Sequence, residues 1–81
     1  ASQISDGAAA VVVVSEAFRS EHSTPQAFRI LASATSGVPP KEIFIAPVEA
    51  VRKCVAKAGL QLSDIDLFEL NEAFASQALA D

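Results

Sequence analysis

The sequence has little sulfur and few large aromatic side chains. It contains one cysteine and no methionine, tryptophan or tyrosine among its 81 residues. A single cysteine cannot form an internal disulfide, so we expect a reducing compartment. A domain of this length buries only about 60% of the surface that its unfolded chain exposes, so its fold should be marginal when the chain stands alone.

Basic residues are also scarce. The sequence has six basic and ten acidic residues, and its formal net charge is -4. This balance disfavours binding to a nucleic-acid backbone or to an anionic membrane surface. No apolar run approaches the roughly 20 residues that a membrane-spanning helix needs. From the charge and the missing apolar run together, we expect neither nucleic acid nor membrane as a partner. Because an initiating methionine is missing and the last residues continue an apolar helical pattern, we expect both ends to be cut from a longer chain.

Hydrophobic residues make up 51% of the sequence, which favours an α/β core rich in Ala, Val and Leu. Three segments are predicted as strands. Residues 8–14 form an unbroken apolar run whose consecutive valines are typical of a strand buried on both faces, although its alanines leave a helix possible. Residues 27–35 alternate with a period of two. Residues 65–70, which follow a capping pattern, carry four large apolar side chains.

Two helices are predicted from their end signals. Ser15 is a suitable N-cap for a short helix that reaches about Glu21. A longer helix begins at Pro47 and ends before Gly59, which are residues typical of a helix start and of the position just past a helix end. Its predicted apolar face carries Val48, Val51, Val55 and Ala58, and its polar face carries Glu49, Arg52, Lys53 and Lys57.

Asn71 follows the third predicted strand, and residues 72–79 suit a helix that begins at once. Ligands of open α/β sheets gather beyond the carboxyl ends of the strands. An asparagine at such an end can hold a water or an oxyanion with its amide while the following helix offers free N–H groups. The alternative is that Asn71 is simply the N-cap of this helix.

The segment 71–74 matches the Asn-Glu-Ala-Phe motif of the thiolases. Further landmarks resemble successive thiolase segments in the same order, and they lie at residues 1–2, 6–9, 37–40, 46–47, 57–59 and 64–66. The resemblance therefore covers the whole chain. It implies an α/β fold that is part of the layered α-β-α-β-α thiolase arrangement and is incomplete in an isolated chain. Residues 1–25 would end the N-terminal half of a thiolase, and residues 26–81 would begin the C-terminal half.

The resemblance also implies roles for particular residues. Asn71 is similar to the family asparagine that orients a water at the thioester oxygen. Ala73 and Phe74 resemble residues beside the pantetheine and acyl pocket, and Ser2 matches a serine that contacts the pantetheine arm of coenzyme A. Glu72 is expected in a first helical turn, where a carboxylate complements the helix dipole.

The family's nucleophilic cysteine, its histidine and its second cysteine have no counterpart in this chain. Cys54 and His22 are poor substitutes for them. Cys54 lies beside Val51 and Val55 on the predicted apolar helix face, which suits a small buried thiol. His22 lies in a polar stretch, where a solvated side chain is expected.

By this resemblance, the chain is a fragment of an acetyl-CoA C-acetyltransferase. Such an enzyme condenses acetyl-CoA to acetoacetyl-CoA or cleaves 3-ketoacyl-CoA with coenzyme A. The resemblance implies coenzyme A as a substrate, no permanently bound cofactor and no metal. The expected partners are acyl-CoA, the remainder of the thiolase chain and further copies in a dimer or tetramer, in the cytoplasm or alternatively in the mitochondrial matrix or peroxisome. Two alternatives stay open: a longer-chain 3-ketoacyl-CoA thiolase, and a non-catalytic thiolase-like subunit that binds acyl-CoA or lipid or is structural.

Overall fold

The computed structural model describes residues 3–23 and 26–81. Three α-helices occur in these residues: α1 (Glu16–Glu21), α2 (Ala46–Lys57) and α3 (Ala75–Ala80). Two 3₁₀ turns, Pro40–Ile45 and Leu62–Asp64, precede α2 and follow it. The first 3₁₀ turn runs directly into α2, so residues 40–57 form the longest continuous helical stretch among the described residues.

The ends of α2 confirm the sequence prediction closely. Pro47 lies in its first turn, where a missing N–H leaves no helical hydrogen bond unmade. Gly59 follows the helix with φ of 72°, a left-handed conformation that costs glycine little. The Leu60 N–H then donates to the Val55 carbonyl at 3.1 Å, and the Gly59 N–H donates to the Ala56 carbonyl at 3.0 Å. This pair of bonds is a Schellman motif, which satisfies carbonyls that the helix end would otherwise leave free.

The two faces of α2 also agree with the prediction. The predicted apolar face is half-buried, and the predicted polar face is exposed. On the polar face, the Lys53 ammonium lies 4.0 Å from the Glu49 carboxylate. An exposed pair at this spacing contributes only about 0.2 to 0.5 kcal/mol, so α2 depends mainly on covering its apolar face.

Helix α1 is capped as its sequence indicates. The Ser15 hydroxyl accepts a hydrogen bond from the Phe18 N–H at 3.1 Å, which confirms Ser15 as the N-cap. The Glu16 carboxylate accepts a 2.6 Å hydrogen bond from Arg19 and lies 3.2 Å from the guanidinium of Arg29. The hydrogen bond from Arg19 is the main reason why the pKa of the Glu16 carboxyl is lowered, and the charges of both arginines act in the same direction.

The three predicted strands do not form in the part of the chain that the structure describes. Residues 8–14, 27–35 and 65–70 have no strand pairing, and Val11 and Val12 are each 87% exposed. The physical reason is that a strand is completed by hydrogen bonds to a neighbouring strand, and these segments have no neighbour here. The layered arrangement of sheets and helices is therefore not seen in the described residues.

Part of the second predicted strand nevertheless keeps its period of two. In residues 31–38 half-buried positions alternate with exposed ones. Two hydrogen bonds hold this segment against α2: the Ser36 hydroxyl donates to the Ala46 carbonyl, and the Lys57 ammonium donates to the Ser33 carbonyl at 3.3 Å. The half-buried positions of this segment are Ala32, Ala34, Ser36 and Val38.

Part of the third predicted strand lies beside the apolar face of α2. Phe68 and Leu70 line an open groove of about 400 Å³ together with Val48 and Val51 of α2 and with Leu62. The groove leaves apolar side chains in contact with solvent. Phe68 is still 55% exposed, so this segment covers α2 only partly.

The chain as a whole is expanded. Its accessible surface is 7574 Å², whereas a folded monomer of its mass exposes about 4,600 Å². Its radius of gyration is 16.3 Å, compared with about 12 Å for a compact domain of this length. None of the described residues is buried. The apolar side chains of this sequence therefore suit a larger core than 81 residues can build.

Candidate functional site

The turn that carries Asn71 lies before α3 and outside it. The Ala73 N–H donates to the Asn71 carbonyl at 2.9 Å, which closes a tight turn around Glu72. Phe74 then has extended backbone angles, φ -140° and ψ 140°, and is itself the residue that precedes α3. The prediction that Asn71 directly caps a helix is therefore wrong for this structure, and so is the placement of Glu72 in a first helical turn.

An aromatic contact accompanies the later start of α3. The rings of Phe74 and Phe44 meet edge to face, with their centroids 5.1 Å apart and their planes at 81°. This is a favourable geometry for an aromatic pair. Phe44 belongs to the 3₁₀ turn before α2, so the contact ties the beginning of α3 to a distant segment. An extended Phe74 can make this contact, and the helix begins one residue later.

The two phenylalanine rings form one wall of an open, mainly apolar groove of about 370 Å³. Its other lining residues come from the 3₁₀ turn and from α3, and they are Ile45, Ser76, Gln77 and Ala80. The groove has no charged residue in its lining. It is therefore suited to an uncharged chain with apolar segments rather than to a phosphate group.

Gln77 is one of two polar residues that line this groove, together with Ser76. Its side-chain oxygen Oε1 is buried and has no hydrogen-bond partner among the described residues. Sequence reasoning missed both Gln77 and Phe44. For Gln77 the available signal was spacing. In the predicted helix over residues 72–79, Gln77 follows Phe74 by three positions, so the two side chains share a face. For Phe44 the local sequence gave no comparable signal, since the contact joins distant parts of the chain.

The structure brings together only some of the residues predicted from the sequence. Asn71, Ala73 and Phe74 lie in one exposed stretch before α3, and Phe74 alone lines the groove. Ser2 lies outside the described residues. The oxyanion and pocket roles of these residues therefore stay predictions.

The two rejected catalytic substitutes occupy ordinary structural positions. Cys54 is a free, half-buried thiol on α2. The exposed His22 ring stacks on Phe18 with ring centroids 4.0 Å apart, and its Nδ1 lies 3.0 Å from the Phe18 carbonyl oxygen. Within residues 3–23 and 26–81, no helix is long and apolar enough to cross a membrane, and no group of side chains suited to a metal ion occurs.

Comparisons with known proteins bear on the same residues. The family description "Thiolase, C-terminal domain" matches residues 24–81. A probable acetyl-CoA acetyltransferase of Escherichia coli (strain K12) is 51% identical over 80 residues, which are 99% of this chain and 20% of that protein. A beta-ketoadipyl-CoA thiolase of Pseudomonas putida is 51% identical over 81 residues, again 99% of this chain and 20% of that protein.

A 3-ketoacyl-CoA thiolase of Bacillus subtilis (strain 168) is 49% identical over 78 residues, which are 96% of this chain and 20% of that protein. The chain thus spans about a fifth of the length of the curated relatives that it matches. No solved structure matches the chain significantly.

Proposed function

This chain belongs to the thiolase family, and on that premise we propose that it is part of a longer acyltransferase that acts on 3-ketoacyl-CoA. In the cleavage direction, the thiol of coenzyme A is acylated as the bond between the α and β carbons of the substrate breaks. The products are acetyl-CoA and a shortened acyl-CoA. In the reverse direction, two molecules of acetyl-CoA condense to acetoacetyl-CoA and free coenzyme A.

The observation that carries this proposal is the intact Asn-Glu-Ala-Phe motif within the matched region. It begins at Asn71, inside residues 24–81. Asn71 is exposed and stands on a tight turn rather than within a helix, so its amide is accessible to a water or a substrate. In the proposed enzyme the amide holds a water near the thioester oxygen. Stabilising the negative charge that develops on this oxygen lowers the barrier without lowering the energy of bound substrate to the same extent.

Substrate contact is proposed for Ala73 and Phe74 beside the pantetheine arm, and for Ser2 on the same arm. The uncharged groove next to Phe74 supports this arrangement, because a pantetheine chain is neutral and partly apolar. Coenzyme A is then a substrate, and its phosphates bind elsewhere in the enzyme, since this chain carries a net charge of -4.

Family membership implies the α/β fold of the thiolase C-terminal domain. We propose that residues 8–14, 27–35 and 65–70 become strands of the layered thiolase sheets when the remainder of the chain supplies their neighbours. Residues 1–25 would then close the N-terminal half and residues 26–81 open the C-terminal half. The exposed valines and the expanded shape of the chain support this proposal, because both indicate apolar surface that is still uncovered. A cytoplasmic homo-oligomer is the proposed assembly.

The test is an assay on the complete polypeptide that contains this chain. The loss of 3-ketoacyl-CoA is followed by absorbance with and without coenzyme A, using acetoacetyl-CoA, β-ketoadipyl-CoA and a longer-chain substrate. We expect cleavage that depends on coenzyme A for at least one of them, and the series assigns the acyl specificity. A folded, complete protein that cleaves none of the three and forms no acetoacetyl-CoA from acetyl-CoA would contradict the proposal.

A further inference from the structure

The side chain of Gln77 has an unmet hydrogen-bonding need. Gln77 lines the groove between α3 and the 3₁₀ turn Pro40–Ile45, its Oε1 atom is buried, and no described residue donates to that atom. Buried amide oxygens in proteins nearly always accept a hydrogen bond, because a buried acceptor without a donor loses its hydration and gains nothing in return. This orphaned oxygen therefore points to a donor outside the described residues.

The position of Gln77 connects it to the turn of Asn71. Gln77 and Phe74 line the same groove, and Phe74 immediately follows the hydrogen bond that closes the turn between Asn71 and Ala73. The Ala78 N–H donates to the Phe74 carbonyl at 3.1 Å and thereby fixes Phe74 to the first turn of α3. A bond that holds Gln77 in place consequently restrains the rotation of α3 and, through Phe74, the direction in which Asn71 is presented.

We propose that Gln77 is a positioning residue for Asn71: in the complete enzyme its amide oxygen accepts a hydrogen bond from an N–H or O–H group outside the described residues, and this bond fixes the turn that carries Asn71. The inference rests on the proposed function, since Asn71 needs positioning only if it acts on the substrate. Gln77 itself contacts no reacting atom. Its effect is expected only where the geometry of Asn71 matters.

The decisive experiment is a double-mutant cycle in the complete enzyme. Gln77→Leu keeps the approximate size of the side chain but removes the amide. We expect kcat to fall about tenfold or more while KM stays within about twofold, because Asn71 acts chiefly on the transition state. In an Asn71→Ala background, Gln77→Leu should lower kcat no further, since the residue that it positions is already absent.

Two variants serve as controls. Gln77→Asn keeps an amide but withdraws it by one methylene. This variant should fold even if Gln77→Leu does not. Its kcat should be reduced in the same selective way. Gln26→Leu makes the same chemical change at an exposed position and should leave kcat and KM unchanged. Thermal unfolding of each variant is measured on the same preparations, and we expect a lower Tm for both Gln77 variants and an unchanged Tm for Gln26→Leu.

Three outcomes would overturn the inference. Wild-type kcat in folded Gln77→Leu or in Gln77→Asn would show that the amide positions nothing. Equal losses of kcat from Gln77→Leu with and without Asn71 would show a general structural effect. An unchanged or higher Tm for Gln77→Leu would show that the oxygen has no donor. If the complete wild-type protein were inactive, the proposed function would fail and the positioning role with it, while the Tm comparison would still decide whether the amide has a partner.

Discussion

Replacing Asn71 with alanine in the complete enzyme separates a catalytic role from a structural one. If Asn71 were the N-cap of a helix, its loss would cost about 0.5 to 2 kcal/mol of stability. In the structure α3 begins at Ala75, and no side chain among the described residues caps it. We therefore expect the stability of Asn71→Ala to lie within about 0.5 kcal/mol of the wild type, as for an ordinary exposed residue.

The rate should respond much more strongly than the stability. Removing one donor from an oxyanion site costs on the order of 100- to 1,000-fold in kcat, or roughly 2.7 to 4 kcal/mol. This range is an upper bound here, because Asn71 acts through a water that another water can partly replace. We expect kcat to fall more than KM changes, since the charge on the thioester oxygen develops mainly in the transition state.

The assay measures kcat, KM and the free energy of unfolding on one preparation of each protein. Asn71→Asp is the matched control, because aspartate retains the size and the capping ability of asparagine but has no amide donor. Both variants should fold normally and turn over slowly. Wild-type turnover in folded Asn71→Ala protein would remove Asn71 from the mechanism, and a loss of stability without a loss of turnover would restore the capping interpretation.

Three further predictions concern the chain itself. The isolated 81 residues should neither cleave acetoacetyl-CoA nor become acylated, and mass spectrometry that finds an acyl group on Cys54 would contradict this. Gly59→Ala should destabilise the complete protein by roughly 1 to 2 kcal/mol in a denaturant titration because of its positive φ, whereas Gly37→Ala, which also meets no neighbouring atom, should be neutral or slightly stabilising. The pKa of the Glu16 carboxyl should lie below its ordinary value of 4.5. Its ion pair with Arg19 therefore contributes to stability above that pH, and this contribution is lost as the pH falls through the lowered pKa. An NMR titration that shows the same midpoint in Arg19→Ala would refute the assigned cause.

Local signals in the sequence were sufficient for the helices α1 and α2. Ser15, Pro47 and Gly59 act on backbone groups within a few residues of themselves, so their effects need no information about the rest of the fold. The apolar spacing of α2 was equally reliable, because helical geometry alone decides which side chains share a face. The family was also accessible from the sequence, since ordered motifs persist in the chain whether or not a core is complete.

The strands could not be decided in this way. The period of two in residues 27–35 is kept by Ala32 and Ala34, which are half-buried, but Phe28 and Ile30 are 94% and 73% exposed. A strand depends on hydrogen bonds from a partner that is distant in sequence, and no local pattern supplies that partner.

Tertiary contacts alone decided the region of the candidate site. The sequence suits Asn71 as a cap, but in the structure Phe74 has an extended backbone and contacts Phe44, and α3 begins at Ala75. Gln77, whose Oε1 is buried, lines the groove beside the same two rings. Helix propensity differs by less than about 1 kcal/mol between most residues, so a single aromatic contact between distant segments is enough to shift a helix end.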